Sequence, residues 1–335
     1  MNTAFKRKLG RSEIEVSALG LGCWAIGGPF FYCGMHDGWG DVDDAESIKG
    51  IHSALEHGIN FLDTADCYGV GHSEEVIGRA IAGNRNNFVI ATKFGNFGNE
   101  ATKTLYGVNL SPDYIERACD ASLKRLKTDY IDLYQLHEGN ILISDVEPIC
   151  MTLDKLVKKG KIRTYGWSTD FIDGARLFAE RPNCSVIQHC LNIFEDAPQL
   201  VEFCENNNLA SINRSPLAMG FLTGKFNTQS ILPSDDVRGA GHSWIQYFKD
   251  GKPVTEFLDK LNSIKDILTS NGRTLVQGAL AWIWGKSGST IPIPGFKNVR
   301  QVEENARAME FGPLTQEQMD EIHSILHQIY ALNIK

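Results

Sequence analysis

The chain has no apolar run long enough to span a membrane. The longest apolar stretch of its C-terminal third, residues 275–284, is interrupted by Gln277 and Gly278, whereas a membrane helix needs roughly 20 apolar residues. Basic residues at positions 6–8 resemble the start of a secretory signal, but charged residues at positions 11, 13 and 15 occupy the segment that should be apolar. We therefore predict no membrane span and no signal peptide.

The chain also lacks paired cysteine motifs and an excess of basic charge. Its eight cysteines form no Cys-x-x-Cys pair and no Cys/His ligand spacing, a pattern typical of free thiols in a reducing compartment. We therefore expect a cytoplasmic protein and predict no metal site. The net charge of −8 disfavours a nucleic-acid partner, because phosphate binding requires a basic face.

What the sequence does contain is a repeated alternation of apolar runs and helical stretches. No linker, low-complexity tract or break in composition interrupts it, so residues 1–335 are predicted to form a single domain. A short run rich in β-branched or aromatic residues recurs eight times, each followed by residues with helical period. The predicted strands are residues 16–22, 60–64, 88–94, 130–137, 162–168, 185–191, 209–215 and 290–294, and the predicted helices are residues 44–56, 73–81, 111–126, 145–157, 171–179, 197–206, 274–286 and 299–307.

Eight such units predict an α/β fold of the (β/α)8 or TIM-barrel type. Alternating units imply a parallel sheet covered by helices, and a barrel typically takes roughly 250 residues or more. The run Gly20-x-Gly22-x-x-Ala25 also fits the loose dinucleotide-binding pattern of an open sheet. That pattern requires a helix directly after it, whereas residues 26–34 read as a loop, so the barrel is favoured.

Further elements are predicted around the eight units. Residues 4–16 are expected to form an N-terminal β-hairpin that closes the barrel floor, and residues 253–270 an extra helix. Two unusually long loops, residues 26–43 and 217–252, are predicted on the C-terminal face. Because such long loops are usually functional covers or disordered, and aromatic residues are frequent in these two, we expect covers over the active site.

Reactive side chains follow adjacent predicted strands at the barrel mouth, where barrel enzymes carry their active sites. These are Asp63, Tyr68, Lys93 and His137. A nearby ammonium should lower the phenol pKa, a carboxylate should fix the ammonium, and an imidazole can orient a carbonyl oxygen. Each residue alone has a purely structural explanation, but together they predict protonation of an oxyanion as a hydride arrives.

The residues around these four resemble the aldo-keto reductase family over nearly the whole chain. This resemblance implies hydride transfer between a nicotinamide cofactor and an aldehyde or ketone, with Asp63, Tyr68, Lys93 and His137 as the catalytic residues. It implies a small-molecule carbonyl as the partner, and the sequence gives no indication of oligomeric state. The matching segments are residues 61–69, 90–95, 129–137, 160–168, 215–225 and 291–295.

The resemblance also implies a set of cofactor-binding residues. Ser168 and Gln188 should hold the carboxamide, and a cation at Lys297 near the ribose 2′ position should favour NADPH over NADH by pairing with the extra phosphate. The seventh strand end should contact the nicotinamide and pyrophosphate, and residues 297–305 the adenosine. The complete predicted set is Gly22, Cys23, Trp24, Ser168, Thr169, Gln188, Arg214, Ser215, Leu217, Gly295, Lys297, Gln301, Glu304 and Asn305.

Three positions depart from the family pattern. Thr169 stands where asparagine is common, and Glu138 where tryptophan or arginine is frequent. Arg214 stands where an aromatic ring commonly stacks on the nicotinamide. A guanidinium can stack because it is planar, yet a cation beside an oxidised, positive ring is unfavourable. The role of Arg214 therefore stays open between stacking, pyrophosphate contact and recognition of a substrate carboxylate.

The substrate pocket is predicted around Trp24, Trp39, Tyr68 and His137, walled by further aromatic residues of the two long loops. Such a pocket suits aromatic aldehydes, sugars or small dicarbonyls. Two other functions are compatible with the same fold. One is a non-catalytic subunit that keeps the fold and NADPH, which the presence of all four catalytic side chains disfavours. The other is a lyase that uses Lys93 as a Schiff base, which a neighbouring Asp63 disfavours by keeping the amine protonated.

Overall fold

Eight parallel strands form the centre of the molecule. The computed structural model describes residues 5–333, with side chains described up to residue 328, so residue 4 of the predicted hairpin and both ends of the predicted domain lie outside it. Each strand pairs in parallel with the next one along the chain. The strands are β1 (Gly20–Gly22), β2 (Phe61–Asp63), β3 (Val89–Phe94), β4 (Ile131–Leu136), β5 (Ile162–Ser168), β6 (Cys184–Cys190), β7 (Ala210–Arg214) and β8 (Thr290–Pro292).

The barrel closes between β1 and the segment that follows β8. Gly22 forms a parallel bridge with Gly295, and its backbone N–H donates to Pro294 O at 2.9 Å. A Cβ atom on Gly22 would lie 2.6 Å from Ile293 O, so only glycine permits this approach of the two backbones. The predicted (β/α)8 barrel is therefore confirmed.

The helices surround the barrel in the predicted order, with boundaries close to those expected. The extra helix is present as α7, whereas α10 was not predicted. Among residues 5–333, no helix is both long and apolar enough to cross a membrane. The helices are α1 (Asp44–Glu56), α2 (His72–Ala80), α3 (Pro112–Leu126), α4 (Ile143–Lys158), α5 (Ile172–Ala179), α6 (Pro198–Asn206), α7 (Thr255–Thr269), α8 (Leu275–Trp284), α9 (Val299–Phe311) and α10 (Gln316–Asn333).

The bottom of the barrel is closed by an antiparallel hairpin, strands Lys6–Lys8 and Glu15–Ser17. Its apolar side chains, Leu9 among them, join the cluster that fills the barrel interior. The predicted first strand, residues 16–22, is therefore wrong at its start, because residues up to Ser17 belong to the hairpin. The chain turns there, as the Ser17 hydroxyl donates to Leu19 O at 2.6 Å, and β1 begins only at Gly20.

Both predicted loops lie on the C-terminal face, and they contain short strands. Strands Phe31–Tyr32 and Met35–His36 of the first loop join strands Asn96–Asn99 and Thr104–Val108 in a four-stranded sheet that was not predicted. The second loop holds a 3₁₀ segment, Ala218–Thr223, and a small hairpin of strands Phe248–Lys249 and Lys252–Pro253. The two loops contact each other, with Val237 N donating to Gly38 O at 2.8 Å.

Candidate active site

Lys93 lies fully buried at the centre of the site, on β3. Its Nζ donates to Asp63 Oδ1 at 2.5 Å, to Thr64 O at 2.8 Å and to Tyr68 Oη at 3.4 Å. All three ammonium protons therefore have acceptors, as a buried charge requires. An amine held in this way is a poor nucleophile, which argues further against a Schiff base.

Asp63, at the end of β2, is held from a second side by amide groups. Its Oδ2 accepts a hydrogen bond from Gln188 Nε2 at 2.8 Å and another from Gln135 Nε2 at 3.2 Å. Gln135 was missed in the sequence, although a polar residue inside the apolar run of β4 was an available signal. The two amides and Lys93 all donate hydrogen bonds to the carboxylate of Asp63, so this carboxylate is fixed in position.

Tyr68 lies in the loop between β2 and α2, packed between aromatic rings. Trp24 stacks on it with ring centroids 5.9 Å apart, and His137 meets it edge-on at 5.7 Å. Burial raises the pKa of the Tyr68 phenol well above its usual value, and the negative charge of Asp63 raises it further. The prediction that Lys93 lowers this pKa is therefore wrong here, because loss of hydration outweighs the ammonium. The phenol keeps its proton at neutral pH.

His137, which follows β4, presents a neutral imidazole. Burial lowers its pKa well below the usual value, and the cations Lys93 and Arg214 lower the pKa further. Its Nδ1 lies 3.3 Å from Cys67 Sγ. Asp63, Tyr68, Lys93 and His137 are therefore brought together in one place, and we call these four residues the catalytic floor.

A single groove of about 850 Å³ runs across the barrel mouth above the catalytic floor. Asp63, Tyr68 and His137 line it, as do Trp24, Trp39 and all of the predicted cofactor residues except Thr169. Thr169 is buried beside it, and its hydroxyl donates to Gly139 O at 2.5 Å. The side chain of Thr169 therefore has a local structural partner and does not face the groove.

Arg214 ends β7 and points its charge toward an acidic partner. Its guanidinium forms an ion pair with Asp170, and the other carboxylate oxygen of Asp170 accepts from Cys190 N at 2.8 Å. The positive charge of Arg214 at the groove is thus partly neutralised by a fixed carboxylate. This neutralisation reduces the conflict between a guanidinium and a positively charged ring.

Three cations gather at one end of the groove: Lys225, Arg238 and Lys297. Burial and then the charges of Arg238 and Lys297 lower the pKa of Lys225. Arg238 stacks 4.7 Å above the Trp39 ring, and Lys297 Nζ donates to Trp39 O at 2.9 Å. Lys225 and Arg238 were missed in the sequence. Lys225 ends the matched segment 215–225, whereas Arg238 lies in a long loop without any periodic signal. We call these three residues the basic end.

The residues near the basic end fit a nucleotide in one further respect. The amide nitrogen of Asn305 is buried, and it has no hydrogen-bond partner among the described residues. A buried donor without a partner is costly, so a ligand with an acceptor atom would relieve that cost. Asn305 lines the same groove as Lys297, which places a donor for a base or sugar beside cations for phosphates.

A neighbouring part of the groove is aromatic and carries one carboxylate. The Trp24 ring lies 5.3 Å from that of Trp39 and 6.3 Å from that of Trp244, centroid to centroid. Asp37, on the first long loop, lies 3.5 Å from His242 Nε2 of the second loop. Burial raises the pKa of Asp37 to about 6, although His242 opposes this shift. Asp37 was not predicted, and we call this region the aromatic mouth.

Comparison with known proteins places this geometry in context. Residues 18–327 match the model of the aldo/keto reductase family. Aldo-keto reductase yakc of Schizosaccharomyces pombe, whose name specifies NADP(+), is 33% identical over 91% of this chain and 86% of its own length. The NADH-specific methylglyoxal reductase of Escherichia coli is 31% identical over 91% of this chain and 93% of its own.

A similar structure has also been solved. The glycerol dehydrogenase AKR11B4 from Gluconobacter oxydans superimposes with a TM-score of 0.83 at 29% identity, covering 97% of this chain and 96% of that one. These comparisons agree with the resemblance seen in the sequence and with the barrel fold.

Proposed function

The chain belongs to the aldo/keto reductase family of oxidoreductases, and we propose that it reduces a small-molecule aldehyde or ketone to an alcohol with NADPH. The observation that carries this proposal is the catalytic floor: a buried Asp63–Lys93 pair 3.4 Å from the Tyr68 hydroxyl, with a neutral imidazole beside it. We also propose that the whole chain forms one domain. Its eight cysteines are free thiols, which supports a cytoplasmic location.

NADPH, when bound, supplies a hydride to the carbonyl carbon, and the residues of the chain manage the resulting charge. His137 holds the carbonyl oxygen by a hydrogen bond, and Tyr68 donates its proton to that oxygen as negative charge develops. The raised pKa of Tyr68 ensures that the proton is present at neutral pH. Lys93 then stabilises the phenolate left behind, and Asp63 holds Lys93 in place.

The basic end supports NADPH as the cofactor. Three cations at one end of a groove suit the pyrophosphate and the 2′-phosphate of that nucleotide, and we propose that Lys297 contacts the latter. One relative carries NADP(+) in its name and another is called NADH-specific, so the choice rests on the residues of this chain. The Asn305 amide would serve the adenosine. Ser168 and Gln188 remain our proposal for the carboxamide.

We propose that Arg214 lies against the nicotinamide. Its ion pair with Asp170 leaves the planar guanidinium available for stacking while reducing its net charge. The aromatic mouth suits substrates with a flat or apolar face. Its carboxylate, Asp37, favours substrates that also carry hydroxyl groups.

The test combines NADPH binding with turnover of 4-nitrobenzaldehyde in the Tyr68→Phe variant. We expect the NADPH dissociation constant to stay within about two-fold, because the ring and the groove survive. Turnover should fall by about 10²- to 10⁴-fold, because the proton donor is gone. Tyr106→Phe, the same change at an exposed tyrosine, is the matched control and should leave both quantities unchanged.

Three results would each contradict a different part of the proposal. Near-normal turnover by Tyr68→Phe would show that Tyr68 is not the proton donor. NADPH binding by the unaltered protein without turnover of any carbonyl in a broad panel would favour the non-catalytic alternative. Absence of NADPH binding would overturn the proposed function as a whole.

A further inference from the structure

The thiol of Cys67 contacts the ring of His137, and both residues line the groove. The Sγ of Cys67 lies 3.3 Å from His137 Nδ1, and among the side chains of residues 5–328 it is the only one hydrogen-bonded to that ring. Cys67 immediately precedes Tyr68 and is buried in a small cluster with Phe30 and Leu105. This packing fixes the thiol against the imidazole.

Both partners of this contact are neutral. Burial raises the pKa of the Cys67 thiol well above its usual value, and the charge of Asp66 raises it further, so the sulfur keeps its proton. The pKa of His137 is lowered, chiefly by burial, so its ring carries a single N–H. That hydrogen can reside on either Nδ1 or Nε2.

The thiol makes these two tautomers unequal. When Nδ1 is unprotonated, it accepts the S–H of Cys67, and the ring hydrogen lies on Nε2. In the reverse arrangement Nδ1–H must donate to sulfur, which is a weak acceptor. Imidazole nitrogen is much the better acceptor, so the contact favours hydrogen on Nε2. In the described part of the chain Nε2 has no hydrogen-bond partner, and His137 lines the groove beside Tyr68.

We propose that Cys67 is a positioning residue that keeps the imidazole hydrogen of His137 on Nε2, so that this nitrogen donates to the carbonyl oxygen of the substrate. The proposal rests on the proposed function, since it assigns a donor for the reaction. Cys67 acts only through His137: it orients the donor and does not touch the reacting atoms.

The first test is the tautomer itself. Long-range ¹H–¹⁵N spectra of protein labelled with ¹⁵N-histidine, assigned with His137→Gln, report which ring nitrogen carries hydrogen. We expect Nε2–H and an unprotonated Nδ1 in the unaltered protein, and a mixture of tautomers in Cys67→Ala. Cys67→Ser should give a result between these two, because a hydroxyl donates to Nδ1 but also accepts well from Nδ1–H. Observation of Nδ1–H in the unaltered protein would overturn the proposal without any variant.

The second test is kinetic. In Cys67→Ala we expect kcat for 4-nitrobenzaldehyde to fall by about 2- to 12-fold, the range of one neutral hydrogen bond, with the NADPH dissociation constant unchanged. Cys67→Ser should give a kcat between that of Cys67→Ala and that of the unaltered protein, because its hydroxyl can still donate to Nδ1. Cys204→Ala removes a buried thiol from α6 and is the matched control, expected to change neither spectrum nor kcat.

The two tests fail in different ways. An unchanged kcat in Cys67→Ala, with or without a changed spectrum, would overturn the role assigned to Cys67. If the unaltered protein shows Nε2–H but reduces no carbonyl, the proposed function fails and the tautomer assignment stands.

Discussion

At the catalytic floor, Lys93 is fully buried and each of its protons has an acceptor. At the basic end, Lys225 and Lys297 are exposed, and neighbouring positive charges help to lower the pKa of Lys225. At the catalytic floor, the protein itself supplies every hydrogen-bond acceptor that the buried ammonium needs. At the basic end, Arg238 pairs with Asp236, whereas Lys225 and Lys297 form no ion pair among the described residues. An anionic ligand would offset the charges of these two lysines.

This difference follows from where each region sits in the fold. Asp63, Lys93 and His137 lie at or next to the ends of β2, β3 and β4, so the barrel fixes their spacing, and Tyr68 reaches them from the loop after β2. Two members of the basic end, Lys225 and Arg238, lie in the long loop between β7 and α7. Reaction chemistry is thus carried by the rigid scaffold, whereas cofactor and substrate selection is carried by loops.

The largest effect is expected from removing the buried ammonium. Lys93→Met leaves Asp63 buried without its cation, so the free energy of unfolding should fall by about 3–5 kcal/mol, and turnover should be lost. Lys225→Met, the same change at the basic end, should alter the free energy of unfolding by no more than about 0.5 kcal/mol. Urea unfolding of both variants measures this contrast.

A double variant tests whether the unpaired charge of Asp63 causes this loss of stability. The double variant Asp63→Asn/Lys93→Met removes both buried charges, and we expect it to recover much of the lost stability without recovering turnover. Equal destabilisation by Lys93→Met and Lys225→Met would show that the two regions do not differ in the way described.

The aromatic mouth should make stability depend on pH. The pKa of Asp37 is about 6 in the folded protein, against about 3.9 in an unfolded chain. Folding therefore favours the protonated carboxyl of Asp37. The stability that this preference contributes is present below about pH 4 and is lost as the pH rises through about 6. At pH 8, Asp37→Asn should raise the free energy of unfolding by about 1–3 kcal/mol, because it removes the buried charge.

This gain should disappear at about pH 3 and below, where the carboxyl is mostly protonated in both states. Urea unfolding of the two proteins across about pH 3–8 measures it, with Asp235→Asn at an exposed loop position as control. A gain that is independent of pH would show that ionisation of Asp37 is not its cause.

The smallest effect is expected from single cations of the basic end. Lys297→Ala should weaken NADPH by about 10-fold, or about 1.4 kcal/mol, and NADH by less than about two-fold, because only NADPH carries the 2′-phosphate. Arg300→Ala removes another exposed cation that lines the groove and should change both affinities less. Equal losses of NADPH and NADH in Lys297→Ala would remove its assignment to that phosphate.

Much of the barrel followed from local patterns. The strand Ile162–Ser168 was predicted at its observed bounds, because β-branched and aromatic residues are frequent in it. The start of β1 was misplaced, since the apolar residues of the hairpin and of the strand adjoin in sequence. The four-stranded sheet over the mouth was not predicted, because two of its strands have only two residues and carry no periodicity. The other two, of four and five residues, show no regular alternation of apolar and polar positions that marks a strand.

The sequence by itself determined the barrel and the composition of the catalytic floor, because parallel strands bring their carboxyl ends to one rim wherever those strands occur. Only the tertiary structure decided how these groups behave. The direction of the Tyr68 pKa shift depends on loss of hydration, which no local pattern records. The contacts of Gln188 with Asp63, of Asp37 with His242 and of Cys67 with His137 join residues 125, 205 and 70 positions apart. Such proximity exists only once the chain has folded.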